Sequence, residues 1–141
     1  MNKKYKPILI IDFDGTLTQY KEWKGIDIID DEPVEGAMKF LVEASEFFTI
    51  NIFSSRSSDP KGIGAMQQYI ERHLKTYLEA YMRLPEASHR EAYETILARI
   101  QWPVTKPAGF LSIDDRALPF EGDWSKFVPE ELIKFKPWNK R

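Results

Sequence analysis

Three short apolar runs constrain this chain more than any other feature. Residues 7–13, 48–53 and 109–113 each end in side chains bearing oxygen: Asp12 and Asp14, then Ser54 and Ser55, then Asp114 and Asp115. A short, nearly continuous apolar run closed by such residues predicts a strand buried on both faces. Between the first two runs, Val34, Ala37, Met38, Leu41 and Val42 fall on one helical face behind Pro33, which predicts an amphipathic helix opening at that proline. A strand, a crossover helix and a second strand make a parallel pair.

After the second run, Asp59 and Pro60 supply a cap and a first-turn residue. Met66, Tyr69, Ile70, His73, Leu74, Tyr77, Leu78, Tyr81 and Met82 then hold a helical stripe. Pro85 breaks that helix, and Tyr93, Ile96, Leu97 and Ile100 mark another that stops before Pro103. Beyond Ala117 the prolines at 119, 129 and 137 and Gly122 predict short elements and loops, with a helical turn after Pro129. Strands alternating with helices give an α/β fold with a mostly parallel sheet, whose ligands bind at the carboxyl ends of the strands.

The 141 residues suit a single domain, and 43% hydrophobic with 30% charged residues suits a globular one. The formal net charge of −2 provides no global field for nucleic acid or an acidic membrane. Cysteine is absent, which excludes disulfides, thiolate zinc sites and a cysteine nucleophile. Only two histidines are present, so a metal here is expected to be held by oxygen. The apolar run from Ile8 to Ile11 is too short for a signal peptide or a membrane span, and the expected location is cytoplasmic.

Asp12-Phe13-Asp14-Gly15-Thr16 sets two carboxylates where a strand opens into a loop. Together with Asp114 and Asp115, up to four like charges meet, and they do not all stay ionised without compensation. A hard divalent cation is the simplest remedy. The stretch Ile-Asp-Phe-Asp-Gly-Thr-Leu-Thr resembles the first motif of the haloacid dehalogenase superfamily, D-x-D-G-T. Ser54 at the end of the second run is similar to that family's second motif, Lys106 is a candidate for its third, and Asp114-Asp115 resembles its fourth.

The resemblance implies a Rossmann-like three-layer sandwich and a Mg²⁺-dependent phosphatase. Asp12 would be the nucleophile, forming an aspartyl phosphate, and Asp14 the acid and base partner, entering protonated because of its anionic neighbours. Mg²⁺ would be held by the Asp12 carboxylate, the Asp14 carbonyl and Asp114, with Asp115 direct or through water. Ser54 would bond a phosphoryl oxygen, with Ser55 able to take that role. Lys106 would neutralise the phosphate, and N–H groups around Gly15 and Thr16 would form an anion nest. Arg56 and Arg116, beside the second and fourth motifs, would spread the remaining charge.

Neither gap between motifs leaves room for a large cap. An open site of this kind takes a phosphorylated small molecule or an exposed macromolecular phosphate, unless a neighbouring subunit covers it. Residues 20–25, with Lys21, Trp23 and Lys24, read equally as a flap over the substrate or as a solvated loop. His73 reads as a packed histidine. Lys134, Lys136, Lys140 and Arg141, interleaved with Phe135 and Trp138, read as a solvated tail, because no basic excess elsewhere supports a nucleic-acid grip. Two alternatives remain at this stage: phosphotransfer to an acceptor other than water, and a phosphate-binding regulatory module that hydrolyses nothing.

Overall fold

The computed structural model describes residues 5–81 and 86–141. Among the described residues four strands, β1 (Ile8–Ile11), β2 (Thr49–Ile52), β3 (Ile100–Gln101) and β4 (Leu111–Ile113), form one parallel sheet in the order β3-β2-β1-β4. The three apolar runs supply β1, β2 and β4. β3 was not anticipated: Ile100, expected at the end of a helix, pairs with Ile50, and a two-residue strand is too short to show a period of its own.

Register does most of the positioning. Ile11 stands beside Ile52 on one side and Ile113 on the other. The Asp12 N–H donates to the Ile113 carbonyl at 3.0 Å, and the Phe53 N–H donates to the Ile11 carbonyl at 3.1 Å. The chain therefore leaves all three strands at one level, with residues 12, 53 and 114 abreast.

Leu9, Ile11, Ile50 and Ile52 alternate along β1 and β2 and belong to one buried core. Helix α1 (Ala37–Ala44) adds Met38 and Leu41, α2 (Pro60–Tyr81) adds Met66, Tyr69, Ile70, Leu74 and Leu78, and α3 (Glu86–Ala98) adds Ile96. Asp59 caps α2 as expected, its carboxylate accepting from the Lys61 N–H at 2.8 Å. Met82 and Pro85 lie outside the described residues. A single helical turn, α4 (Pro129–Leu132), follows Pro129 as anticipated.

Two expectations need correction. Pro33 does not open α1, because residues 32–34 are drawn into a ladder with the first loop: the Gln19 N–H donates to Glu32 and the Val34 N–H to Leu17, each at 2.9 Å. The helix starts after Gly36, whose φ of 87° is in the left-handed region. Nor is the third strand buried. Leu111 is 51% and Ile113 39% exposed, because β4 is an edge strand paired only with β1. An apolar run does not by itself distinguish an edge from a centre. No described helix is long and apolar enough to cross a membrane.

Candidate functional site

Immediately after β1 the backbone closes into a tight loop in which the Phe13 carbonyl accepts from the N–H groups of Thr16, Leu17 and Thr18 at 2.9–3.2 Å. Gly15 makes the turn at φ 81°, and a side chain there would press on the Asp115 carboxylate. The turn aims the Thr16 hydroxyl at both acidic segments. Its oxygen lies 3.2 Å from Asp12 Oδ2 and 3.3 Å from Asp115 Oδ1, and it accepts from the Asp115 N–H at 3.2 Å. One hydroxyl thus couples segments about a hundred residues apart.

Asp12, Asp114 and Asp115 each offer a carboxylate oxygen, all within 4.8 Å of one another. Burial pushes the Asp12 pKa up to about 8, reinforced by the Asp115 hydrogen bond and the Asp114 charge. Arg116 approaches from outside, Nε 4.0 Å from Asp115 Oδ2, with a 61% exposed side chain. Fully ionised, the three carboxylates against one arginine would carry two formal negative charges, which one divalent cation would balance. An all-oxygen donor set of this kind suits a hard cation. The cluster opens into a cleft of about 420 Å³ that Asp14, Tyr20, Trp23, Ser55 and Arg116 also line.

Asp14 stands apart from this cluster. Anionic neighbours were expected around it; instead the buried Arg56 guanidinium grips both of its oxygens, Nε to Oδ2 at 2.8 Å and Nη2 to Oδ1 at 3.1 Å. Arg56 Nη1 also donates to the Gly25 and Ile26 carbonyls at 2.7 and 2.8 Å, and the guanidinium lies 4.4 Å from the Trp23 ring centroid. Four of its five N–H groups are engaged. It acts as an anchor beneath the loop spanning residues 20–26.

Ser54 turns inward. Its hydroxyl accepts from the Arg56 N–H at 3.1 Å and lies 3.4 Å from Met66 Sδ, capping the 3-10 turn Ser55–Ser58. Ser55 is the serine that lines the cleft, while Lys106 is exposed and outside its lining. His73 packs against Tyr69 with ring centroids 4.3 Å apart, and burial followed by the Arg72 charge lowers its pKa.

The tail's basic side chains, Lys134, Lys136, Lys140 and Arg141, are exposed as expected, but its last turn is not simply solvated. Pro137 is buried, and the 3-10 turn Trp138–Lys140 docks on the first loop. Trp138 Nε1 donates to the Gly15 carbonyl at 2.7 Å, the Asn139 amide donates to Gln19 and Tyr20 at 2.8 and 2.7 Å, and Lys140 reaches the Lys21 carbonyl. No spacing in the sequence signals this, since each pair is about 120 residues apart. Tyr20, at the cleft wall, has φ 40°, unusual for a side chain other than glycine. No protein-family model, curated protein or solved structure matches the chain.

Proposed function

We propose that this chain is a Mg²⁺-dependent phosphomonoester hydrolase of the haloacid dehalogenase type, a Rossmann-like sandwich without a large cap, working through a phosphoryl group carried on Asp12. One observation carries the reading: register and the Thr16 hydroxyl bring Asp12, Asp114 and Asp115 to a single point at the mouth of an open cleft. Those three residues would hold the cation. Bound there, Mg²⁺ supplies charge neutralisation for the cluster and for an incoming phosphate.

An Asp12 carboxylate oxygen attacks phosphorus, the new Asp12 O–P bond replaces the ester P–O bond, and the departing oxygen takes a proton from Asp14. Water then attacks the phosphoryl group, Asp14 receives its proton, and the Asp12 O–P bond breaks to release inorganic phosphate. Asp14 has to enter the first transfer carrying that proton, and each of its oxygens accepts a single Arg56 N–H, which leaves a second lone-pair side for the exchange while Arg56 stays in place. Ser55 and Arg116 line the path of the phosphate, and Thr16 keeps Asp12 and Asp115 in register.

The test is turnover of an aryl phosphate by the wild type with Mg²⁺, with EDTA, and by Asp12→Asn. Activity is expected only in the first condition, with at least a ~10³-fold loss in the variant, the scale of removing a covalent nucleophile. Equal rates for wild type and variant would end the proposal. The tight Arg56–Asp14 pair also favours a second reading, a phosphate-binding module without turnover, and the same protein would then bind phosphate with Mg²⁺ while leaving the ester intact.

A further inference from the structure

The turn Trp138–Lys140 is joined to the candidate site by an unbroken series of contacts. Gly15, whose carbonyl Trp138 holds, is followed by Thr16, the residue that touches both Asp12 and Asp115. Asn139 holds the next part of the same loop at Gln19 and Tyr20, where the backbone has the unusual φ and Tyr20 forms cleft wall. An indole N–H has one donor, and Trp138 spends it on Gly15. The Asn139 amide gives both donors to the loop while its buried Oδ1 has no partner among the described residues, so the loop carbonyls orient the side chain.

At the far end of the same segment Arg56 holds Gly25 and Ile26. The segment from residue 15 to residue 26 is therefore clasped at both ends by side chains that donate to its carbonyls. Backbone bonds to Phe13, Glu32 and Val34 already hold residues 16–19, so what the two side chains add is the direction of the Gly15, Gln19 and Tyr20 carbonyls, the first of which sets the peptide plane leading into Thr16.

We propose that Trp138 and Asn139 form a strap that positions the Gly15–Tyr20 loop, and through Thr16 the carboxylate cluster, so that cation binding by Asp12, Asp114 and Asp115 depends on it. These are positioning residues, and the proposal rests on reading the cluster as a cation site. Groups that touch ligand carboxylates, as Thr16 does here, typically account for ~10- to 100-fold in metal affinity, and the strap, acting through Thr16, is expected at the lower end.

The experiment uses the full chain and its Trp138→Phe and Asn139→Ala variants, with Mn²⁺ as probe. Trp138→Phe keeps an aromatic ring but removes the N–H donor together with the five-membered part of the indole. Calorimetry measures the Mn²⁺ Kd, limited trypsin digestion measures cleavage after Lys21, and thermal unfolding reports whether each variant remains folded. Expected are about tenfold weaker Mn²⁺ binding and faster cleavage after Lys21 in both variants, with cooperative unfolding retained. Should Trp138→Phe lose its cooperative transition, Asn139→Ala decides, since it removes the bonds to Gln19 and Tyr20 and leaves the indole in place. Wild-type Kd and unchanged cleavage in a folded variant would overturn the strap alone. A wild type that binds no Mn²⁺ would overturn the cation-site reading and the proposal with it.

Discussion

Replacing Asp12 by Asn should stabilise the protein in EDTA, and by an amount that grows with pH. Folding buries the Asp12 carboxyl beside Asp114 and Asp115 and lifts its pKa from the ordinary 3.8 to about 8. The native state thus keeps a proton that the unfolded chain releases near 3.8. Where the native state binds more protons, unfolding free energy falls as pH rises, so stability declines from about pH 4 to pH 8 and is level above. At roughly 1.4 kcal/mol per pH unit, four units set a ceiling near 6 kcal/mol. Coulomb repulsion at 4.8 Å with an effective dielectric of about 20 gives about 3.5 kcal/mol per pair, a comparable scale. Asn carries no charge, and its amide oxygen can still accept from Thr16. In EDTA at pH 9, Asp12→Asn is therefore expected to unfold about 3–6 kcal/mol harder than wild type, at ~3 °C per kcal/mol. Thermal unfolding at pH 5, 7 and 9 with EDTA or Mg²⁺ measures this. Mg²⁺ should recover much of the difference in wild type and leave the variant unmoved. Parallel pH profiles for the two proteins in EDTA would refute the reasoning.

Arg56→Ala strands the Asp14 carboxylate and two loop carbonyls at once, so urea unfolding should show a loss of about 3–5 kcal/mol with little change in slope. Arg56→Lys should recover only part of it, because an ammonium does not span both Asp14 oxygens and both carbonyls; a loss under ~1 kcal/mol for Arg56→Ala would contradict the anchoring role. Arg116→Ala should raise the inhibition constant for inorganic phosphate about tenfold or more, the scale of one charge-assisted hydrogen bond, with Lys106→Ala unchanged. The reverse order would return the phosphate-neutralising role to Lys106.

The sequence was most legible where strand ends are concerned. Runs such as Ile8–Ile11 identify themselves by continuous apolarity, which places their acidic ends at one edge of the sheet, while the side-by-side placement of Asp12 and Asp114 comes from the β1–β4 pairing, which no apolar run specifies. What it left obscure depends on contacts between distant segments. Arg56 stands next to the second strand end, which marks it as close to the site, yet its task is set by Gly25, Ile26 and Asp14, residues no periodicity links to it. Ser54 and Ser55 are chemically equivalent letters, and only the capping geometry of the turn decides that the first faces Met66 and the second the cleft. Helix α1 was placed too early because Pro33 is a good first-turn residue in isolation, whereas here it pairs with Thr18 across the first loop.

The two arginines of the site differ in what a phosphate would have to displace to reach them. For Arg56 to turn toward a ligand, its guanidinium must release Asp14 or the carbonyls of Gly25 and Ile26, each left without its present partner at a cost of about 1–3 kcal/mol. It is 2% exposed and also packed on Trp23, so the movement would take the loop with it. Arg116 has a single 4.0 Å contact with Asp115 and a largely exposed side chain, an arrangement worth little in water and easily exchanged. On the proposed reading, an incoming dianion would therefore meet Arg116 as the cation of the cleft that is easier to move. Arg56 keeps its part by staying still: it holds Asp14 at the cleft wall and one end of the loop, while the turn at Trp138 holds the other.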